Sequence, residues 1–366
     1  MKKIFLFFAG FLLVSFQLLA QGDAYHISGN LEKMKAGNLH LTIYKNDQTI
    51  VDSTNLKDGK FNFSGTVSSP FFATLTMPEK KDDYFTFYIE PGTFQILGRA
   101  DSLKMLTIKG SKVNDDDKML KDRMKSVSAW ESVNSKLYET AYTDKNKEIM
   151  DSLDEVDNDV MSAKRSVIAA FIKENPSSLR GAMAIPENFG YYAEASDIIP
   201  LYEALDPSIK NSAKGREIKK MIEVYSTVAI GNQIPDIQQY TTDSSLLSIN
   251  SLKGKYVLVD FWASWCGPCR RENPNIVAAY NQYKDKGFTV FGVSYDTKKT
   301  NWKKAINEDH LDWYQVSELN GWNNKTSAQF GIKGIPSNIL LDKDGVIIGK
   351  NLFGKKLTGK LAEIMK

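Results

Sequence analysis

Cysteine is nearly absent from this chain: of 366 residues only Cys266 and Cys269 are cysteine. A small exported scaffold stapled by disulfides carries several, spread between its elements. A loop as short as Cys266–Cys269 constrains little of an unfolded chain, so the pair is better explained by reactivity. Histidine is almost as scarce. His26, His40 and His310 are scattered, which leaves a Cys-x-x-Cys pair without the two further ligands zinc needs. Only 11 prolines, with 42% hydrophobic and 25% charged residues, exclude wholesale disorder. A net charge of +3 gives no electrostatic footprint for nucleic acid or an anionic membrane. There is no Gly-rich phosphate loop followed by Lys-Ser/Thr, no G-x-S-x-G elbow and no internal repeat. Asp342-Lys-Asp344-Gly345 lacks the remaining ligands of a calcium loop and reads as a hairpin turn.

What is present begins with Lys2 and Lys3, followed by an apolar run from Ile4 to Ala20. A short positive region, an apolar stretch and a small residue before polar sequence read as a secretory signal over 1–20. The small residue common three positions before a cut is missing, Leu18 standing there. A retained inner-membrane anchor is the alternative, although the run is slightly short for a span. No cysteine follows, which excludes a lipid-linked form. Removing Met1–Ala20 deletes two lysines and no acid, bringing the chain closer to neutral. The expected location is the periplasm.

Residues 21–112 read as an antiparallel β domain, a sandwich or small barrel. Leu39, Leu41 and Ile43 alternate with polar neighbours, Lys57-Asp58-Gly59-Lys60 is a turn, and Phe71–Met77, Tyr84–Ile89 and Phe94–Leu97 are further strands. Residues 113–228 read as helical. Met119, Met124, Val127, Trp130 and Leu137 form one apolar set, and Val156, Val160, Val167, Ile168 and Phe171 another, both expected to pack in a helical core. Asn175-Pro176 and Asp206-Pro207 divide the region. Residues 229–366 alternate as α/β: a buried strand at Tyr256–Phe261, a helix from about Cys266 to Tyr283, a strand at Phe288–Val293, a helix at Asn301–Glu308, strands at Ser337–Leu341 and Gly345–Ile348, and a last helix at Lys360–Met365. This order describes a mixed central sheet with helices on both faces.

The chemistry concentrates in Val259-Asp260-Phe261-Trp262-Ala263-Ser264-Trp265-Cys266-Gly267-Pro268-Cys269. A buried strand feeds a helix that begins with a cysteine, where free N–H groups and the helix dipole favour an anion. That raises the thiolate fraction at Cys266. Cys269, one turn deeper on the same face, can attack a mixed disulfide formed at Cys266. Gly267 keeps the approach open, and Pro268 costs little in the first turn. Asp260 lies in an apolar strand, where a carboxylate must protonate or find partners.

The region Asn232–Lys366 resembles the thioredoxin superfamily, and most closely its exported TlpA/ResA-like thiol–disulfide oxidoreductases. Trp-Cys-Gly-Pro-Cys after a buried strand and Gly334-Ile335-Pro336 before another carry the likeness. The resemblance implies a thioredoxin-like α/β domain and dithiol exchange with no cofactor or metal beyond the redox-active disulfide. Cys266 would be the attacking residue and Cys269 the resolving one. Pro336 would be cis and would hold a segment that includes Ile335 beside Cys266. Asp260 resembles the buried acid that assists proton transfer at the second cysteine, and Glu272 the active-site glutamate of the exported branch. The division of labour between these two acids stays open, with a structural Asp260 and a solvated Glu272 as alternatives. Trp262 and Trp265 should pack around the motif, Trp265 toward the exposed side. Arg270 and Arg271 read as solvated charges. Residues 21–228 resemble the β-plus-helical extension found before such domains in Bacteroidetes proteins.

The implied partners are disulfide-bearing exported proteins and a membrane-bound electron donor, with apocytochrome c maturation one use. A homodimer through the N-terminal regions is one role for the extension. Cys-Gly-Pro-Cys favours the reducing direction. An oxidant or isomerase, a thiol peroxidase and a redox-regulated binding module are the competing readings.

Overall fold

The computed structural model describes residues 22–45, 48–190 and 193–366. The expected signal over 1–20 lies outside them. Two compact units divide at Met119 and Leu120.

The first unit holds strands β1 (Asp23–Glu32), β2 (Ala36–Lys45), β3 (Gln48–Lys57), β4 (Lys60–Val67), β5 (Phe71–Met77), β6 (Lys80–Ile89), β7 (Gly92–Arg99) and β8 (Thr107–Lys109). They form one sheet in the order β6-β5-β2-β3-β4-β1-β7-β8. Its pairings are antiparallel except that β1 and β7 run parallel. Strand alternation sends Leu39, Leu41 and Ile43 of β2 inward with Ala73, Leu75, Phe87 and Phe94 to form one core. Asp58 and Gly59 both adopt positive φ, 52° and 78°, the backbone a two-residue hairpin between right-twisted strands requires.

Helix α1 (Lys112–Thr143) begins in the first unit and continues into the second. It is followed by α2 (Lys147–Glu174), α3 (Leu179–Phe189), α4 (Ala195–Ala204), α5 (Pro207–Lys210) and α6 (Ala213–Thr227). The breaks at Pro176 and Pro207 fall where α2 and α4 end. Val160, Ile168 and Phe171 are buried, the last two packing with Ile185, Ile198 and Ile218 in one helical core. The expected set on α1 is corrected in part: Met124 packs against that core, but three of its residues do not. Met119, Trp130 and Leu137 are 37%, 42% and 52% exposed, and α1 buries Leu120, Asn134 and Ala141 instead. Their spacing is helical, but spacing does not say which side of a long hairpin meets a partner.

The second unit ends in β9 (Gln238–Thr241), β10 (Leu246–Ser248), β11 (Tyr256–Trp262), α7 (Gly267–Tyr283), β12 (Phe288–Ser294), α8 (Lys299–Glu308), β13 (Tyr314–Ser317), α9 (Lys325–Phe330), β14 (Ser337–Leu341), β15 (Ile347–Lys350) and α10 (Lys355–Ile364). The sheet order is β10-β9-β13-β12-β11-β14-β15. β11 pairs parallel with β12 and antiparallel with β14, so the sheet is mixed as expected. Because side chains alternate along β11, Leu258 packs with Ile276 and Ala279 of α7 and with Leu357 and Leu361 of α10. Val257, Val259 and Phe261 pack on the opposite side, in a core that includes Trp302 and Ala305 of α8 and Phe330 of α9. Burying each such side chain stabilises by roughly 1.5–3 kcal/mol. Within this unit the helices contact the sheet domain through several side chains. Tyr225 of α6 donates its hydroxyl to the carbonyl of Gly190, at the end of α3, at 2.9 Å, and the Gly331 carbonyl of the sheet domain lies 3.5 Å from the same hydroxyl. Lys350 of β15 pairs with Glu194 at 2.8 Å.

Candidate active site

β11 ends at Trp262, the chain turns through Ala263-Ser264-Trp265, and Cys266 becomes the N-cap of α7 with extended backbone (φ −81°, ψ 99°). An N-cap is normally an oxygen-bearing residue that takes a free N–H of the first turn. Here a sulfur does so: Cys266 Sγ accepts the Cys269 N–H at 3.1 Å. The same unpaired N–H groups and dipole favour negative charge on that sulfur when it is released as a thiolate. Pro268 sits in the first turn, where it forfeits no helical bond. A Cβ at Gly267 would meet only Arg271 Nη1, at 3.7 Å, so the approach over this residue is open.

Cys266 and Cys269 are joined as a disulfide. Cys266 Sγ lies 3.6 Å from the Ile335 carbonyl oxygen, and the Ile335–Pro336 peptide is cis. The sulfur of the disulfide has no proton to donate, so this is a contact. In the thiol form the carbonyl becomes an acceptor. The fold thus brings together three segments: the Cys266 turn, the first turn of α7 and, from far along the sequence, the loop entering β14.

Asp260 is buried, paired in the sheet between Gly292 of β12 and Asn338 of β14. It shares the side of β11 that Leu258 uses, which α7 covers. Cys269, Asn273 and Ile276 form the buried stripe of α7, so Asp260 lies beneath the helix's first turns. Burial first, and the Glu272 charge second, push its carboxyl up to about 7. Glu272 is half-buried and engaged by hydrogen bonds, which corrects the solvated alternative. Its Oε1 accepts the Gly354 N–H at 2.8 Å, at the start of α10, and its Oε2 accepts from Asn275 at 2.8 Å. A carboxylate at a helix N-terminus is favourably placed. Trp262 is buried and donates its indole N–H to Gln315 Oε1 at 3.0 Å, whereas Trp265 is exposed.

The two arginines are not free surface charges. Arg270 pairs with Asp309 and Glu308 of the α8 end and donates to the Ser264 carbonyl at 3.3 Å. Arg271 donates to the Tyr138 hydroxyl at 3.1 Å and lies over the Tyr142 ring at 5.7 Å. Helix α1 therefore touches the cysteine-bearing helix, and no sequence spacing signals it.

Asp296 also escapes sequence reasoning. Buried after β12, it accepts the Ser264 N–H at 2.9 Å, the Ser264 hydroxyl, and the Ser294 hydroxyl at 2.8 Å. It thereby fixes the turn that presents Cys266. Asp296→Ala is expected to destabilise the protein by about 2–4 kcal/mol, because it orphans buried donors. Urea unfolding measures this, and a loss below about 0.5 kcal/mol, the level of a neutral surface change, contradicts an anchoring role.

Residues 229–363 match the family model described as Redoxin. Residues 25–116 match one described as a domain of unknown function, DUF4369. Relatives include the thiol-disulfide oxidoreductase ResA of Bacillus thuringiensis, 28% identical over 37% of this chain and 77% of that protein. The thioredoxin-like protein YneN of Bacillus subtilis is 31% identical over 32% of this chain and 68% of its own length. Among solved structures, the thioredoxin domain of a thiol-disulfide oxidoreductase from Bacteroides vulgatus is 40% identical, covering 38% of this chain and 99% of that one, with a TM-score of 0.36. With Cys266 capping α7, its partner one turn on and a cis-proline loop against its sulfur, the chain belongs to the thioredoxin superfamily, as a thiol–disulfide oxidoreductase of the ResA/TlpA-like kind with an N-terminal extension.

Proposed function

We propose that this oxidoreductase reduces disulfides in exported proteins. The observation that carries the reading is the Cys266 sulfur held at the helix start by the Cys269 N–H, with the Ile335 carbonyl 3.6 Å away. In the reduced protein the Cys266 thiolate attacks one sulfur of a substrate disulfide. The Cys266–substrate bond forms, the substrate S–S bond breaks, and the departing thiolate takes a proton. Cys269 then loses its proton to the Asp260 carboxylate and attacks Cys266 Sγ. The mixed disulfide breaks, the Cys266–Cys269 bond forms, and the second substrate thiolate leaves and is protonated. Asp260 suits this role because a base held near neutrality both accepts and returns a proton. Glu272 keeps the carboxyl of Asp260 raised and ties α7 to α10. Ile335 and Pro336 present main chain to an extended substrate segment.

The electrons come from a dithiol donor, membrane-bound if the chain acts in the periplasm, which is kept oxidising. The lysine-flanked apolar run at 1–20 supports that location. Apocytochrome c, with its paired haem-attachment cysteines, is one fitting substrate, and self-association through the N-terminal regions fits the extension. The direct test is insulin reduction with dithiothreitol as donor. The protein is expected to accelerate B-chain precipitation at least about tenfold, given the thiolate-favouring site. No acceleration contradicts the reductase reading.

A further inference from the structure

The reacting pair is nearly closed over, Cys266 being 4% exposed and Cys269 1%. Two indoles beside it are open. Trp265 precedes Cys266 and is 56% exposed, and Trp322, from the turn between β13 and α9, is 46% exposed. Their ring centroids lie 6.4 Å apart with planes tilted by 58°. A single exposed aromatic needs no explanation. Two that converge from separate loops at a reacting sulfur form one apolar surface of about 200 Å².

That surface is fixed from below. Trp322 packs at 5.1 Å on Tyr295, which is fully buried and whose hydroxyl lies 3.0 Å from Thr326 Oγ1. The Tyr295 N–H bonds to the Trp262 carbonyl at 2.8 Å, on the strand that leads to Cys266. Positive φ at Leu319 and Gly321 bends the Trp322 turn. The Leu319 N–H bonds to Ser317 Oγ at 3.0 Å, and a buried amide pair joins Asn324 to Gln239 at 2.6 and 3.3 Å. Both indoles thus stand on the frame that carries the cysteine.

We infer that Trp265 and Trp322 form an aromatic platform that seats an apolar side chain of the substrate polypeptide next to the cystine under attack. The occupant is argued from continuity with the reaction centre: Trp265 directly precedes Cys266 and Trp322 lies beside Trp265, so a chain that exchanges with Cys266 has this indole pair next to it. The Ile335 carbonyl gives an extended chain a main-chain acceptor, and alternate side chains of such a chain point to opposite sides. Unfolded chains with hydrophobic residues flanking their cysteines are therefore preferred over polar cystine segments and over glutathione disulfide. This rests on the exchange reading above and adds the substrate class.

The test uses the reduced protein and two synthetic peptides, each closed by one disulfide, with phenylalanine or serine flanking both cysteines. Stopped-flow fluorescence gives kcat/KM for each. The wild-type protein is expected to favour the phenylalanine peptide by about tenfold or more, the worth of one buried aromatic contact. Trp322→Ala brings the ratio near one, with the change in KM. Trp322→Gln, which keeps bulk over Tyr295, does the same, and Trp322→Phe retains most of the preference. A purely structural role would depress both peptides together and leave the ratio standing. A wild-type ratio near one, or a ratio that survives both Trp322→Ala and Trp322→Gln, overturns the platform. Failure of the wild-type protein to reduce either peptide counts against the reductase reading alone. The same peptides, reduced and offered to the oxidised protein, then measure the preference in the other direction. There too a ratio of about tenfold supports the platform and a ratio near one overturns it.

Discussion

Replacing Cys269 by serine is expected to stop the reaction halfway, with the substrate covalently held on Cys266. Cys266 remains the N-cap of α7, at the end of the helix whose N–H groups favour its thiolate. Attack on a substrate disulfide therefore continues, but no second thiol is present to release the product. Non-reducing electrophoresis and mass spectrometry should show about one substrate chain per protein, released by dithiothreitol. Turnover should fall by about 10³-fold or more, since resolution then depends on an external thiol reaching a buried mixed disulfide. Cys266→Ser should lose turnover to the same extent and trap nothing. The order matters, because Cys269 is the more buried sulfur, on the inward face of α7. A trap that forms with Cys266→Ser and not with Cys269→Ser contradicts the assignment of attacking and resolving roles.

The second large effect is at Asp260. Its carboxyl is pushed up to about 7 from 3.8, by burial first and by the Glu272 charge second. The folded protein then holds a proton that the unfolded chain has already released, so stability falls as pH rises from about 4 through about 7. Below that window both states are protonated and nothing is lost. A shift of this size amounts to about 4 kcal/mol at alkaline pH. Asp260→Asn removes the buried charge. In the oxidised protein it should gain about 2–4 kcal/mol at pH 8.5 and almost nothing at pH 4. With Cys269 in place, the same change should slow resolution of the mixed disulfide by about 10²-fold, the usual worth of a positioned base. Urea unfolding at the two pH values measures the first effect and single-turnover kinetics the second. A variant that is equally stable relative to wild type at both pH values contradicts the buried, proton-holding Asp260.

The parts of this molecule that are legible in its sequence are those where one local pattern decides the outcome. The run Tyr256–Phe261 can only be a strand covered on both sides, and Cys-Gly-Pro-Cys directly after it places a sulfur at a helix start. Pro176 and Pro207 mark the helix ends. The short strands β9, β10 and β13 escape such reading, since strands of three or four residues with polar side chains carry no periodicity. The exposed side of α1 reads as a core face because an apolar repeat does not name its partner. Asp296, Trp322 and the Arg271–Tyr138 contact are legible only in three dimensions. Each joins segments tens of residues apart or more, and nothing local distinguishes Asp296 from a solvated acid. Glu272 is recognisable through resemblance, but its hold on the Gly354 N–H is a property of how α10 returns to α7.

The central claim is that the Cys266–Cys269 couple donates electrons to disulfides in other chains. Its reduction potential, from equilibration with glutathione or dithiothreitol buffers, tests this most directly. A helix-capping Cys-Gly-Pro-Cys pair of the thioredoxin kind predicts a value below about −220 mV. A value near about −120 mV, among the strong oxidants, contradicts the reductase and makes the protein a donor of disulfides.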